Sequence, residues 1–246
     1  MLISFIHSLF IIISVLFLTA LTSLSSVLLS FFDSSGGDLV HKISARSWGK
    51  ALLFVSGIKV EVRGLSNIDF NESYIYMPNH QSLYDIPVLL GRLPIQFRWL
   101  AKAELFKIPV FGRAMKGAGY ISIDRKNRNS AIGSLNKAAN SMKSKGVSVV
   151  IFPEGTRSPD GKISSFKKGG FYLAVDAEVP IVPVIIKGTK EIVPKKSFLI
   201  KPGKVILEIL EPVKTDGYNS RDEKIELLNK VRNILIEKYE ALEDTD

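Results

Sequence analysis

Residues 1 to 32 contain no Asp, Glu, Lys or Arg, and this run constrains the chain more than any other stretch. A helix needs about 20 residues to cross a bilayer core of about 30 Å, so the segment is long enough to enter a membrane. A secretory signal peptide would begin with a basic region, which this segment lacks. Ser and Thr at 19, 22, 23, 25 and 26 weaken its second half. Two geometries stay open, a spanning helix or a hairpin lying in the membrane surface with the next segment. That segment, 38–56, places Lys42, Arg46 and Lys50 four residues apart among Leu39, Ile43, Trp48 and Leu52. The pattern predicts a basic amphipathic helix suited to the headgroup layer. Because the cations follow the apolar run, the folded part is expected on the cytoplasmic side.

Beyond residue 57 the pattern changes to alternating strands and helices. Residues 58–63 alternate as a strand with one polar face, and 74–77 form a second strand that Pro78 stops. A helix is predicted from about 83 to 91, then strands at 97–101 and 119–124. Residues 130–145 form an amphipathic helix with Gly146 as its C-terminal stop. The near-continuous apolar run Val147–Phe152 suits a strand covered on both faces. A helix near 169–177, strands at 181–186 and 204–210, and a helix from about 220 to 242 complete the order. The fold class predicted is α/β, a mainly parallel sheet flanked by helices, with an N-terminal membrane-associated helical segment. The expected division is a membrane-anchoring segment over 1–57 and one α/β domain over 58–246.

The net charge is +9, which suggests an anionic partner: nucleic acid, a membrane surface or a phosphorylated substrate. Most of the excess is local. Between Arg92 and Arg128 nine basic residues face only Glu104 and Asp124, a local net of +7. The chain has no aromatic signature of RNA binding, so nucleic acid is not expected. With no cysteine there is no disulfide, thiolate metal site or Cys nucleophile, and three histidines leave no set for a multi-histidine metal centre. No Gly-x-Ser-x-Gly elbow, phosphate loop or dinucleotide fingerprint occurs.

Three polar clusters follow predicted strands, where open α/β sheets place their sites. The first is Asn79-His80 with Asp85. A neutral imidazole can take a proton from a hydroxyl, and a carboxylate on its other ring nitrogen fixes the tautomer. Ser82 and Asp85 also have capping-box spacing, so a helix is predicted to start there. Taken alone, the pair reads first as a capping carboxylate beside an ordinary turn histidine. The second cluster is Asp124-Arg125 and the third Glu154-Gly155-Thr156-Arg157. Two arginines beside a base would suit a phosphorylated substrate with a hydroxyl to activate, although each alone also reads as a surface charge.

The motif Asn79-His80-Gln-Ser-Leu-Tyr-Asp85 resembles the Asn-His-x-x-x-x-Asp motif of the glycerolipid acyltransferases. Phe152-Pro-Glu-Gly-Thr-Arg-Ser158 is similar to their second signature at every residue. Lys102 to Gly112, Gly119 to Arg125 and Val179 to Val184 resemble the remaining blocks, in the right order. The nearest likeness is to the 1-acyl-glycerol-3-phosphate acyltransferase branch. This resemblance implies transfer of an acyl group from acyl-CoA or acyl-carrier protein to the 2-hydroxyl of lysophosphatidic acid. His80 would be the base and Asp85 its orienter. Asn79, Lys102, Arg125, Glu154, Gly155, Thr156 and Arg157 would bind substrate, the arginines and Lys102 through its phosphate. No cofactor or metal is implied beyond the donor, and the site would work at the bilayer.

Overall fold

A computed structural model of the chain describes residues 2–194 and 199–242. Helix α1 (Leu2–Ser30) leads into α2 (Asp38–Val40), a π-helical turn (His41–Ala45) and α3 (Arg46–Val55). Strand β1 (Ile58–Arg63) precedes β2 (Ile75–Pro78) and α4 (Asp85–Arg92). Then come β3 (Phe97–Lys102), a 3-10 turn (Ala103–Lys107), α5 (Phe111–Gly117) and β4 (Ile121–Ile123). Helix α6 (Arg128–Lys145), β5 (Ser148–Val150), α7 (Gly169–Ala177), β6 (Ile181–Lys187) and α8 (Thr189–Ile192) follow. Strand β7 (Gly203–Ile209) and α9 (Arg221–Ala241) close the chain, α9 starting in a Ser220–Glu223 capping box.

The seven strands form one sheet in the order β1-β7-β6-β2-β5-β3-β4. Every pairing is parallel except β6 with β7. Parallel strands need crossover helices, which cover both faces, so the central strands β2 and β6 are almost wholly apolar. All four residues of β2 are buried, as are the first six of β6. Side chains alternate between the faces. Tyr74 and Tyr76 join one core with Val88 and Leu89 of α4, whereas Ile75 and Met77 join the other with residues of α6, α7 and α9. Pro183 sits inside central strand β6, where a proline would normally break a ladder. Its missing N–H falls on the β7 side, at a one-residue bulge between the Ile181–Val213 bridge and the Val184–Ile209 pair.

The N-terminal helices are packed into this structure. Ile11 and Leu53 share the core of β2 and α4, and Gly49 of α3 meets Gly91 of α4 so closely that a Cβ on Gly49 would lie 2.7 Å from the Gly91 nitrogen. The expected continuous amphipathic helix over 38–56 is instead interrupted by the π-turn, which rotates His41 and Ser44 into the interior. The predicted capping box at Ser82–Asp85 is also corrected. The helix starts at Asp85 with Tyr84 preceding it, and the Ser82 hydroxyl, which donates to the Val193 carbonyl at 3.0 Å, accepts from Tyr84 N at 3.3 Å and not from Asp85 N.

Candidate active site

The site begins where β2 ends. At Asn79 the main chain turns out of the sheet, and the side-chain amide takes over its pairing. Its Oδ1 accepts from Ile186 N at 2.7 Å and its Nδ2 donates to Ile186 O at 2.9 Å. The amide thus replaces the next peptide group of the strand, which frees His80 to leave the sheet while no buried β6 group is orphaned. Asn79, expected among the substrate contacts, is 1% exposed and spends its amide on this bracing role.

His80 Nδ1 lies 2.7 Å from Asp85 Oδ2. The same oxygen accepts from the backbone N–H of Gln81 at 2.8 Å and of Ser82 at 2.9 Å, and Oδ1 accepts from the Thr189 hydroxyl at 2.5 Å. A carboxylate surrounded by donors in this way can only accept, so the Nδ1 proton belongs to the histidine and the Nε2 lone pair is available as a base. Asp85 is fully buried, whereas His80 keeps 14% of its side chain exposed. The carboxylate is therefore held rigidly behind a ring that solvent and substrate can reach. The half of the capping geometry that survives, carboxylate to the Ser82 N–H, is what positions it.

The loop after β5 fixes the other sides of His80. Glu154 Oε1 accepts from His80 N at 2.7 Å, while Oε2 accepts from Ser164 N at 3.0 Å and its hydroxyl at 2.7 Å. Ser158 N donates to the His80 carbonyl at 2.8 Å. Both backbone groups of His80 are therefore held by the second signature, which gives a physical reason for the two motifs to occur together. Glu154, expected to contact substrate, is 2% exposed and braces the turn that carries His80. The Phe152 ring stacks on the imidazole with centroids 3.8 Å apart and planes 16° apart, and Trp99 stacks behind Phe152 at 5.5 Å. These rings restrict His80 to one orientation.

His80 opens into a cavity of about 330 Å³. Lys102, Arg125, Gly155, Thr156 and Arg157 line it together with Trp48, Leu100, Met115 and Ala118, and α1 contributes Thr19, Thr22, Ser23 and Ser26. Gly155 adopts φ 75, a left-handed conformation that suits glycine. Its carbonyl accepts from the Arg125 guanidinium, which ties the second and third clusters together. The exposed Lys102 ammonium lies 3.3 Å from Glu104, so part of its charge is already matched. The cavity thus brings an imidazole, three cationic side chains and apolar wall residues together.

Several contributors gave little signal in the sequence. Thr189 follows β6 as His80 follows β2, so its place at a strand's C-terminal end was the available clue. Phe152 read as the apolar end of a strand and the start of the second signature, with nothing to show that its ring would stack on His80. Gln81 is buried, donating to Gly161 O at 2.6 Å and to the Tyr239 hydroxyl at 2.8 Å, which links α9 to the catalytic turn. No local pattern connects residues 158 positions apart.

Comparison with known proteins agrees with this geometry. The acyltransferase family profile matches residues 59–187. The 1-acyl-sn-glycerol-3-phosphate acyltransferase alpha of Bos taurus is 34% identical over 189 residues, 77% of this chain and 66% of that protein. The 1-acyl-sn-glycerol-3-phosphate acyltransferase of Cocos nucifera is 35% identical over 177 residues, 72% of this chain and 56% of that protein. The matched stretch therefore spans less than two thirds of these relatives. The crystal structure of the 1-acyl-sn-glycerophosphate (LPA) acyltransferase PlsC from Thermotoga maritima superposes with a TM-score of 0.80 at 32% identity, covering 98% of both chains. With the family profile, the shared fold and the paired signatures in agreement, this chain belongs to the acyltransferase family.

Proposed function

We propose that this protein transfers a fatty acyl group from an acyl thioester, on CoA or a carrier protein, to the 2-hydroxyl of 1-acyl-glycerol 3-phosphate, giving phosphatidic acid. The observation that carries this reading is the 2.7 Å His80–Asp85 pair beside a cavity lined by Lys102, Arg125 and Arg157 and by apolar side chains. His80 Nε2 takes the proton of the hydroxyl as its oxygen attacks the thioester carbonyl. The new C–O bond forms a tetrahedral intermediate, the C–S bond then breaks, and the imidazolium returns its proton to the departing thiolate. Asp85 stabilises the imidazolium in between. The two substrates and these side chains balance the step, with no cofactor. Arg125 and Arg157 hold the phosphate, for which a planar guanidinium offers paired donors. Thr156 and the Gly155 backbone shape that end.

The same reading places the protein on a membrane. Helix α1 is apolar and long enough to cross one, with mean hydropathy 2.3 over its most apolar window. Yet it touches the domain at both ends. Ile200 N donates to the Ser8 hydroxyl at 3.0 Å, and a Cβ on Gly117 would lie 2.8 Å from the Ser30 Cβ. A perpendicular helix would drag the sheet into the hydrocarbon, so α1 lies in the plane with Phe10, Phe17, Leu21 and Leu28 facing lipid. An acceptor panel tests the function. Thioester-dependent product with lysophosphatidic acid, and little with monoacylglycerol or glycerol 3-phosphate, is expected. Equal turnover of monoacylglycerol would overturn the phosphate assignment.

A further inference from the structure

The segment between β3 and β4 is an exposed apolar and basic surface that the chemistry above does not use. Leu105, Ile108 and Val110 are 36%, 47% and 44% exposed. Lys107, Arg113 and Lys116 are exposed around them, and no Asp or Glu occurs from 105 to 117. The backbone is shaped to present this surface. Phe111 N donates to Pro109 O at 2.6 Å across Val110, whose φ of 62 and ψ of −58 make a γ-turn of the strained hand. A β-branched residue is a true outlier there, and such outliers persist where the surroundings hold them and cluster at functional segments. The turn leaves Ile108 and Val110 outside while Phe111 lines the catalytic cavity. The segment is also continuous with the lipid-facing side of α1. Gly117 packs on Ser30, and just beyond it Phe31 and Phe32 are 78% and 81% exposed.

We propose that residues 105–117 form a second membrane contact, in which Ile108 and Val110 enter the interface and Lys107, Arg113 and Lys116 meet anionic lipid headgroups. This rests on the in-plane placement of α1. Apolar exposure alone would fit any hydrophobic partner, but its continuity with α1 and its all-positive rim select an anionic bilayer. Leu105 and Phe111 belong both to this segment and to the cavity wall, so the contact sets the cavity opening against the leaflet that holds the lysolipid.

The chain has no cysteine, so Ile108→Cys provides a single labelling position for a polarity-sensitive dye on the full-length protein. Asn229→Cys, exposed on α9 against the opposite sheet face, is the control. The dye at 108 should brighten and shift blue with phosphatidylcholine–phosphatidylglycerol vesicles, and the dye at 229 should not. Replacing Lys107, Arg113 and Lys116 together by Gln should weaken partitioning to those vesicles about 100-fold, at about fivefold per cation, and leave binding to pure phosphatidylcholine unchanged. A silent dye at 108 and unaltered binding of the triple variant, with wild type still vesicle-bound, would overturn this proposal and leave the α1 reading standing. Wild type failing to bind any vesicle would overturn both. A dye that responds to an acidic acyl-carrier protein and not to vesicles would also overturn it, assigning the surface to that partner.

Discussion

Replacing Asp85 by Asn isolates the electrostatic part of the catalytic pair. Asn keeps the shape, and its carbonyl oxygen can take the Oδ2 position, still accepting from His80 Nδ1, Gln81 N and Ser82 N. The amide nitrogen then faces the Thr189 hydroxyl, which can rotate to accept. The fold and the tautomer survive, and only the charge opposite the transient imidazolium is lost. At an effective dielectric constant of about 20, unit charges about 4 Å apart interact by about 4 kcal/mol. A loss of that size in the transition state lowers kcat by about 10³-fold. KM for lysophosphatidic acid should hardly move, because the neutral ground-state imidazole gains little from the charge. Asp85→Ala is the wrong probe, since it would orphan two buried backbone donors at about 1–3 kcal/mol each. Thiol release from the acyl donor, followed across lysophosphatidic acid concentrations, gives both constants. A fall in kcat under tenfold, with the protein folded, would refute the claim that Asp85 stabilises a charged His80.

Other consequences can be checked separately. Arg157→Lys keeps the charge but loses the paired donors, so KM for lysophosphatidic acid should rise more than kcat falls, and the preference over monoacylglycerol should narrow; steady-state kinetics on both acceptors decide this. Burial first, and then Arg98 and Arg46, hold the His41 imidazole down at about 3 against an ordinary 6.5. Unfolding lets it take up a proton, so its contribution falls as pH drops below the ordinary value, by about 1.4 kcal/mol between about pH 7.5 and about pH 5.5. His41→Phe should flatten that part of the stability profile in denaturant titrations at the two pH values. Gly49→Ala would press a methyl to within 2.9 Å of Leu90 Cβ and of the Pro87 carbonyl, and should cost about 1–3 kcal/mol as a lower denaturant midpoint.

The strand, turn and helix around His80 were legible in the sequence because they depend on neighbours, alternation up to Met77 and an apolar helix after Asp85, although Pro78, expected to stop the strand, lies within β2 and pairs with Val184. The parallel sheet followed from the alternation of elements, and α6 ends at Gly146 as its composition predicts. What local pattern could not supply was the destination of polar side chains. Asn79 and Glu154 stand in signature positions, and only the tertiary structure reveals that they brace β6 and the His80 backbone. Ser82 has capping spacing, but its hydroxyl accepts from Tyr84 N and donates to the buried Val193 carbonyl. The π-turn at His41–Ala45 and the γ-turn at Val110 are local departures from regular backbone that sequence periodicity does not encode. The placement of α1 depended likewise on contacts at residues 117 and 200, far from it in sequence.

The central claim is that His80 is the base that activates the acceptor hydroxyl. His80→Ala leaves Asp85 its two backbone donors and Thr189, so the turn should stay folded and α1 should still bind vesicles. Turnover of lysophosphatidic acid with an acyl thioester, measured on vesicle-bound protein, should then fall by about 10²- to 10⁴-fold. Near wild-type turnover by that variant would contradict the account, because among the described residues lining the cavity there is no second histidine and no carboxylate to remove the proton in its place.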